Sequence, residues 1–524
     1  MRRAFVTLSG RRQVHYRRAG GGAPRVLLHA TPDSSAALDL ASPDRTRMAL
    51  DVPGYGESDP LDVSEPSIQD YTEALRLTFD ALGLQSADIA GWGSGATMAG
   101  AFSRQYPERV TSLRMHDPVE CSPDQRDAML TNFAPSLAPE WDGTHLVRAW
   151  MIRRDMHLFR PWFARTRVAR LPGGLPPADQ LHRGFVDLLR AGDHWGEAER
   201  AAVRYVTGTP SPSGRGRGVR VAYEPPNSQP SPAAAAPASP KGRGVLGRGN
   251  RDLSRFLRDY ADTSFGQVHL RRAGPCGGIP LLMLHASPGS ARGILPLASR
   301  LAEHRDVVAM DTPGFGDSDP LASADPSIGD FADAVLEVIG SLGVPCVDVY
   351  GTHTGASIAL ETAVRGPTRI RKLVFDGLPM FSPDERVDHL ANYIPPFEVR
   401  WDGSHVVWAW NFIRNMTMFY PWYHMDAQHS TGRAPDTALL HERVVDLLKA
   451  GAHYAKGYRA VYRYDPRPAL ARLSAAAMLC VSREDVLAQH AEAVRRARPD
   501  VRVTWLPAAN RIDATAAAIH EFLG

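Results

Sequence analysis

The sequence is short of several residue types and patterns that would point to particular protein classes. Its 524 residues include only four cysteines, which lie far apart and form no CxxC pair, so neither a disulfide framework nor a zinc site is expected. No run of about 18 apolar residues occurs, which argues against a transmembrane helix. Two early arginines precede no apolar segment, so a secretory signal is not expected either. We therefore expect a soluble, cytoplasmic protein without a metal site.

An excess of one charge is also missing. Lys and Arg together number 60 against 57 Asp and Glu, which leaves a formal net charge of +3. A balance this even gives no electrostatic footprint for nucleic acid or for an anionic membrane. Lysine supplies only four of the basic residues, and we attribute this arginine bias to coding composition in a chain rich in Ala, Gly and Pro. We expect neither nucleic acid nor a membrane as a partner.

The second half of the chain repeats the first. Three pairs of motifs recur 260 positions apart: DVPGYGESDP (51–60) with DTPGFGDSDP (311–320), GWGSGA (91–96) with GTHTGA (351–356), and WDGTH (141–145) with WDGSH (401–405). HRGFVDLLRAGDHW (182–195) likewise returns as HERVVDLLKAGAHY (441–454). A period this long indicates two copies of a whole domain rather than a solenoid.

The repeat predicts two domains of unequal length. Residues 1–207 form the first, 251–524 the second, and the Pro-, Gly-, Ser- and Ala-rich stretch 208–250 has the composition of a linker. The second copy continues past Tyr464 with two more predicted strands and a closing helix. The first copy stops near Val206 and offers only GVRVAY (218–223) as a replacement strand. We therefore expect the first domain to be truncated.

Each copy alternates short apolar runs with helical patterns. In the second copy, runs such as IPLLMLHA (279–286) have the length and composition of strands buried on both faces. Strands that alternate with helices predict a parallel sheet covered by helices on both faces. The alternation stops between Gly377 and Asp465, where a helical, aromatic-rich segment follows. We predict a helical lid there (about 377–465) and a matching lid at about 117–206.

The motifs, in this order, resemble the α/β-hydrolase superfamily, in particular its epoxide-hydrolase and haloalkane-dehalogenase-like branch. The resemblance rests on HASPGS (285–290), DTPGFGDSD (311–319), the strand–GxxxG–helix pattern at 351–355 and the inserted lid. It covers nearly all of 256–524 and, less completely, 4–206. It implies two tandem α/β-hydrolase-like domains, each a mostly parallel sheet with helices on both faces and a helical lid, the first truncated.

The sequence departs from the family where the resemblance places the catalytic residues. The nucleophile elbow of the family has the form G-x-nucleophile-x-G. The nucleophile position holds His353 in the second copy and Gly93 in the first, with Ser94 one position out of register. Arg511 stands at the place of the family's histidine, and arginine cannot act as a general base. A Ser–His–acid relay therefore lacks two of its three parts.

The remaining catalytic positions are present in the second copy. Asp485 and Asp376 match the two places where the family carries its acid, and we expect His353, oriented by one of them, to act as general acid or base. The resemblance assigns the oxyanion hole to the backbone N–H groups of Ala286 and Thr354. The same argument names those of Ala30 and Ser94 in the first copy.

Four further residues are candidates for binding substrate: His285, Trp408, Trp422 and Arg511. Each has a structural alternative. His285 usually has a structural role in this family, the tryptophans fit a lid core, and Arg511 fits an exposed surface. For His353 the alternative is a hydrogen-bonded core histidine. The lid histidines show no HxxxH or HxH pair, so no metal is expected.

The leading prediction is a cofactor-independent enzyme of the α/β-hydrolase fold. It would act on a small apolar or aromatic carbonyl compound in the pocket of the second domain, either by activating water or through lyase, isomerase or cyclase chemistry. The alternative is a catalytically dead pseudoenzyme that serves as a ligand-binding or protein-interaction scaffold. We expect a small-molecule partner and pairing of the two domains within the chain, and a homodimer is compatible with both readings.

Overall fold

The computed structural model describes residues 1–41, 45–208, 221–223 and 256–524. They form two compact units. The first unit contains the described residues up to 223 together with 399–406, and the second contains 256–398 and 407–524. The predicted linker 208–250 lies outside the described residues except for Gly208 and 221–223.

The first unit is built on a seven-stranded mixed sheet in the order β1-β2-β4-β3-β5-β6-β7. Its strands are β1 (Arg2–Thr7), β2 (Gln13–Ala19), β3 (Pro24–Leu28), β4 (Thr46–Leu50), β5 (Ala87–Trp92), β6 (Val110–His116) and β7 (Val221–Tyr223). Strand β2 pairs antiparallel with β1 and β4, and the other neighbours pair in parallel. The predicted replacement strand is confirmed as β7, which extends the sheet by three residues.

Six helices accompany this sheet among the described residues. They are α1 (Ile68–Ala81), α2 (Ser94–Gln105), α3 (Pro123–Asn132), α4 (Thr144–Met156), α5 (Ala178–Ala191) and α6 (Glu197–Gly208). Helix α1 begins with a capping box in EPSIQDY (65–71), a segment that returns as DPSIGDF (325–331). Ser67 accepts from the backbone N–H of Asp70, whose side chain accepts from the N–H of Ser67. Helices α3 to α6 occupy the predicted lid.

The second unit contains an eight-stranded sheet in the order β15-β14-β13-β12-β10-β11-β9-β8. Its strands are β8 (Leu257–Thr263), β9 (Gly266–Ala273), β10 (Leu281–Leu284), β11 (Val307–Met310), β12 (Val347–Thr352), β13 (Ile370–Asp376), β14 (Ala476–Ser482) and β15 (Arg502–Leu506). Strand β9 pairs antiparallel with β8 and β11, and the other neighbours pair in parallel. The side chains of β10 and β11 are fully buried, as their unbroken apolar runs predict.

Ten helices lie within the described residues 256–524. They are α7 (Leu295–Ala302), α8 (Ile328–Ser341), α9 (Thr354–Arg365), α10 (Pro383–Asn392), α11 (Ser404–Met418), α12 (Thr437–Ala450), α13 (Tyr454–Arg463), α14 (Arg467–Arg472), α15 (Ala491–Ala497) and α16 (Arg511–Leu523). Helices α7 and α16 pack on one face of the sheet and form a core with its strands, while α8 and α9 cover the other face. Helices α10 to α13 occupy the predicted lid.

The predicted α/β architecture, with mixed sheets and helices on both faces, is confirmed in both units. The two sheets share their strand order, and the first lacks a counterpart of β15 among its described residues. The common order is compatible with a duplication, which stays a prediction. The antiparallel strands β1, β2, β8 and β9 were not predicted. In the part of the chain that the structure describes, no helix is both long and apolar enough to cross a membrane.

Candidate active site

The tight turn between β12 and α9 presents a histidine. Its two glycines are required by space, because a Cβ at Gly351 would lie 2.8 Å from the Cα of Ala356, and one at Gly355 would lie 2.5 Å from the carbonyl oxygen of Leu284. Between them, His353 has φ +49° and ψ −110°, a conformation that L-residues rarely adopt. The sequence G-x-H-x-G therefore forms the sharp elbow that its glycines predict.

The imidazole of His353 is held through one nitrogen. Nε2 lies 3.1 Å from Oδ2 of Asp485, in the turn after β14, and the backbone N–H of Leu487 donates to the other oxygen of this carboxylate at 2.9 Å. Nδ1 has no hydrogen bond to any described residue, and the His353 side chain is 32% exposed. The turn and Asp485 together fix the ring with Nδ1 accessible.

The pKa values of this pair move apart. Burial disfavours the charged imidazole, but the Asp485 carboxylate and its hydrogen bond outweigh burial and raise the pKa of His353 above its usual value. Burial alone would raise the pKa of Asp485, yet His353 holds it well below its usual range. The pair is therefore arranged to keep Asp485 ionised and to support a positive charge on His353.

Arg511 connects the two predicted acids. Its Nη2 lies 2.9 Å from Oδ1 of Asp376 and 3.4 Å from Oδ2 of Asp485. The other oxygen of Asp376 accepts a hydrogen bond from the buried hydroxyl of Tyr350 at 2.7 Å. The structure thus brings His353, Asp376, Asp485 and Arg511 into one network. Tyr350, which joins it from β12, was not identified from the sequence.

Two backbone N–H groups beside the elbow match the predicted oxyanion hole. They belong to Thr354, which directly follows His353, and to Ala286, which follows β10. Neither N–H takes part in a hydrogen bond within the described residues. Free amides at a helix N-terminus favour a negatively charged oxygen. The elbow therefore combines an accessible imidazole nitrogen with two amide donors.

His285 holds the loop that carries Ala286. Its Nδ1 lies 3.0 Å from the carbonyl oxygen of Ala286, and its Nε2 accepts from the backbone N–H of Thr312 at 3.0 Å. Burial lowers the pKa of His285, which keeps the ring neutral. The first unit has the same arrangement at His29. These contacts describe a structural residue, and substrate binding by His285 stays a prediction.

The lid is tied to the same loop by two side chains that the sequence did not single out. The Tyr458 hydroxyl donates to the carbonyl oxygen of Ser287 at 2.9 Å, and the Ser290 hydroxyl donates to buried Asp446 at 2.9 Å. Burial raises the pKa of Asp446 to about 6. The repeated motif could have revealed this contact, because Asp446 matches Asp187 of the first copy. In the first unit Asp187 makes the equivalent contact and accepts from the Ser34 hydroxyl at 2.8 Å.

The two predicted lid tryptophans lie in an aromatic cluster. Trp408 stacks on Phe412 with 5.0 Å between ring centroids, and Trp422 meets Phe412 edge-on at the same distance. The indole N–H of Trp422 donates to the carbonyl oxygen of Tyr393 at 3.0 Å. These contacts place both rings in the packing of the lid. Their role in substrate binding stays a prediction.

The corresponding elbow in the first unit carries no side chain. Gly93 has φ +54°, and the neighbouring Ser94 is 1% exposed. The Ser94 hydroxyl accepts from the backbone N–H of Thr31 at 3.0 Å and lies 2.8 Å from the Thr31 hydroxyl, so it is engaged by the loop after β3. At the floor of the site, Trp92 stacks on His116 with 4.6 Å between ring centroids. The described residues of this unit thus offer no nucleophile at the elbow.

One group of side chains could hold a metal ion on distance alone. His269, Asp311 and Asp317 bring ligand atoms within 4.8 Å of one another. However, Asp311 already accepts from the backbone N–H groups of Ala291 and Asp317, and the Lys449 ammonium lies 2.8 Å from Asp317. Because these N–H groups and the ammonium already engage both carboxylates, the three side chains form a hydrogen-bond cluster.

The comparison with known proteins agrees with the fold. The sequence profile of the alpha/beta hydrolase fold matches residues 279–503, a stretch that contains His353, Asp376 and Asp485 and ends before Arg511. A hydrolase from Pseudomonas aeruginosa PA01 has a similar structure, with a TM-score of 0.40, 21% identity and coverage of 51% of this chain and 98% of that one.

The curated relatives are hydrolases. A 2-hydroxymuconate semialdehyde hydrolase from Pseudomonas sp. (strain CF600) is 34% identical over 128 residues, which is 23% of this chain and 44% of that protein. An (E)-2-((N-methylformamido)methylene)succinate hydrolase from Acinetobacter baylyi is 30% identical over 96 residues, 18% of this chain and 36% of that protein. The chain thus matches less than half of the length of these relatives. The profile match thus assigns the alpha/beta hydrolase fold to residues 279–503, in the second half of the chain.

Proposed function

We propose that the second unit hydrolyses a small carbonyl compound of apolar or aromatic character, with His353 as the catalytic residue. The observation that carries the proposal is the elbow itself. An imidazole fixed by Asp485 keeps Nδ1 accessible next to the unengaged N–H groups of Thr354 and Ala286. The relatives' names support a carbonyl substrate, since one of them is a semialdehyde hydrolase.

In the proposed reaction, the substrate carbonyl oxygen accepts hydrogen bonds from the Thr354 and Ala286 N–H groups. Neutral His353 takes a proton from water at Nδ1, and the resulting hydroxide attacks the carbonyl carbon. Asp485 stabilises the imidazolium through Nε2–H. Nδ1 then returns the proton to the leaving group as the tetrahedral intermediate collapses. General acid–base catalysis of this kind contributes about 10²–10⁴-fold, and each amide donor adds to it by stabilising the oxyanion.

The same groups would also support a lyase, isomerase or cyclase, in which Nδ1 removes a proton next to the carbonyl and the amides hold the enolate. Isotopically labelled water distinguishes the two. Hydrolysis places one oxygen from water in the product, whereas the non-hydrolytic reactions place none.

The test uses the full chain with a panel of esters, epoxides and β-dicarbonyl compounds. His353→Ala should lower turnover of any accepted substrate by about 10²–10⁴-fold because the base is lost. Ser94→Ala, at the elbow of the first unit, is the matched control and should leave turnover unchanged. Unchanged turnover in His353→Ala would remove His353 from the mechanism. A loss in Ser94→Ala would move the chemistry to the first unit.

For the first unit we propose a scaffold role, which is the pseudoenzyme alternative confined to one half of the chain. Gly93 supports this because it leaves the elbow without a reacting group, and Ser94 is engaged by Thr31. Pairing of the units within the chain and a homodimer remain part of this proposal. Sedimentation of the full chain measures the oligomeric state. The Ser94→Ala variant should sediment identically.

A further inference from the structure

Each carboxylate oxygen of the site already has a partner within the protein itself. Asp376 accepts from Arg511 through Oδ1 and from the Tyr350 hydroxyl through Oδ2. Asp485 accepts from the backbone N–H of Leu487 through Oδ1, and its Oδ2 faces both His353 and Arg511. Each of the four carboxylate oxygens thus has a partner within the network, and the two side chains are only 9% and 6% exposed, which leaves little of them for a ligand to reach.

Apart from Nδ1 of His353, the groups that remain available are donors. Arg511 engages its partners through Nη2 alone, so Nη1 and Nε have no hydrogen bond to any described residue, and its side chain is 33% exposed. The N–H groups of Thr354 and Ala286 are also unengaged. Nδ1 of His353 is an acceptor while the ring is neutral, as the proposed reaction requires, and a donor once the ring is protonated.

A ligand for such a site must supply acceptors. Arg511 offsets one of the negative charges of Asp376 and Asp485, and His353 offsets the other whenever its ring is protonated, so the network is neutral in that state. A neutral cluster that turns its donors outward binds an anion through charge-assisted hydrogen bonds, which are stronger than those between neutral groups. Arginine suits a carboxylate in particular, because its planar fork of N–H groups matches the two oxygens.

We infer that the substrate of the second unit carries a carboxylate in addition to its reacting carbonyl group, and that the outward N–H groups of Arg511 bind this carboxylate. The inference rests on the proposed function for the position of the reacting carbonyl, which the amides of Thr354 and Ala286 would hold. Arg511 then orients the substrate across the elbow and exposes the carbonyl carbon to the water at His353.

Benzoate and benzamide test the inference because they match in shape and differ in charge. Calorimetric titration of the full chain should show benzoate binding at least about tenfold more tightly than benzamide. Arg511→Gln should abolish that preference and leave benzamide binding unchanged. Arg511→Lys keeps the charge and should retain part of the preference. Arg502→Gln removes an exposed arginine of β15 that pairs with Glu521, and should change neither ligand.

Equal binding of the two ligands by the unmodified chain would overturn the inference, as would a preference that survives in Arg511→Gln. If Arg511→Gln also fails to bind benzamide, the Arg511→Lys variant is decisive. Arg511→Lys supports the inference if it still binds benzoate more tightly than benzamide. It counts against the inference if it binds benzamide normally but no longer prefers benzoate. Binding requires no turnover, so the two proposals can fail separately. Should His353→Ala remain fully active while the preference depends on Arg511, only the proposed mechanism fails. If His353→Ala is inactive but the preference for benzoate over benzamide does not depend on Arg511, only the carboxylate inference fails.

Discussion

The backbone of the second elbow should be more stable with glycine than with alanine at position 353. His353 adopts φ +49° and ψ −110°, and Gly93 at the matching place in the first unit adopts φ +54° and ψ −122°. Both His353→Gly and His353→Ala remove the imidazole and its pairing with Asp485. The two variants therefore differ only in a Cβ at a positive φ.

The expected difference follows from two opposing effects. A Cβ in a left-handed conformation costs roughly 1–2 kcal/mol. Glycine offsets part of this through the greater entropy of its unfolded chain, about 0.4–1 kcal/mol. His353→Gly should therefore be more stable than His353→Ala by about 1 kcal/mol. Ala517, which is exposed in helix α16, is the control in which glycine should be the less stable residue. Ala517→Gly should destabilise the chain by about 1 kcal/mol.

Urea unfolding of the full chain, followed by circular dichroism, measures these differences as shifts of the midpoint at constant slope. The sign is the decisive result. If His353→Ala is as stable as His353→Gly, or more stable, the turn carries no strain at this residue. The comparison between the two variants is independent of whether the site is catalytic.

Three further predictions concern the site around His353. Because the pKa of His353 is raised on folding, its pairing with Asp485 stabilises the chain fully below the unfolded-state pKa of about 6.5, and this contribution is lost as the pH rises through the folded-state pKa. The difference in unfolding free energy between the unmodified chain and His353→Ala should therefore shrink with rising pH, and a growing difference would contradict the assignment. Asp485→Asn should shift the NMR titration of the His353 ring to lower pH and reduce turnover about 100-fold or more; an unmoved titration would show that Asp485 does not set the pKa. Dialysis against a chelator should leave turnover unchanged, because the proposed mechanism uses only side chains and amides, and a loss restored by a metal ion would refute it.

Patterns along the chain were enough to predict the architecture. The repeated motifs, the short apolar runs and the paired glycines at 351 and 355 give the central strands, the elbow and the lid, because each depends on residues close in sequence. Strands β8 and β9 were not predicted. Strand β9 mixes Gln267 and His269 with arginines, so it lacks the apolar run of a central strand.

The network around the elbow could be predicted only in part. Family positions pointed to Asp376, Asp485 and Arg511, but the sequence does not show that Arg511 joins both carboxylates, because these residues are up to 135 positions apart. The hydroxyl of Tyr350 was missed for a related reason. A tyrosine in a buried strand is normally interpreted as a core residue. Its hydrogen-bond partner, Asp376, is known only once β12 and β13 are placed side by side.

The elbow of the first unit also limits which residues it can carry. A Cβ at Gly93 would lie 2.9 Å from the Cβ of Ala30, closer than packed atoms allow. A serine or histidine in place of Gly93 would therefore have to displace the loop that carries Ala30. Even then, the described part of this unit contains no strand equivalent to β15 and hence no residue matched to Arg511. A reactive centre at this elbow would therefore need several coordinated changes, and the glycine at position 93 is itself hard to replace.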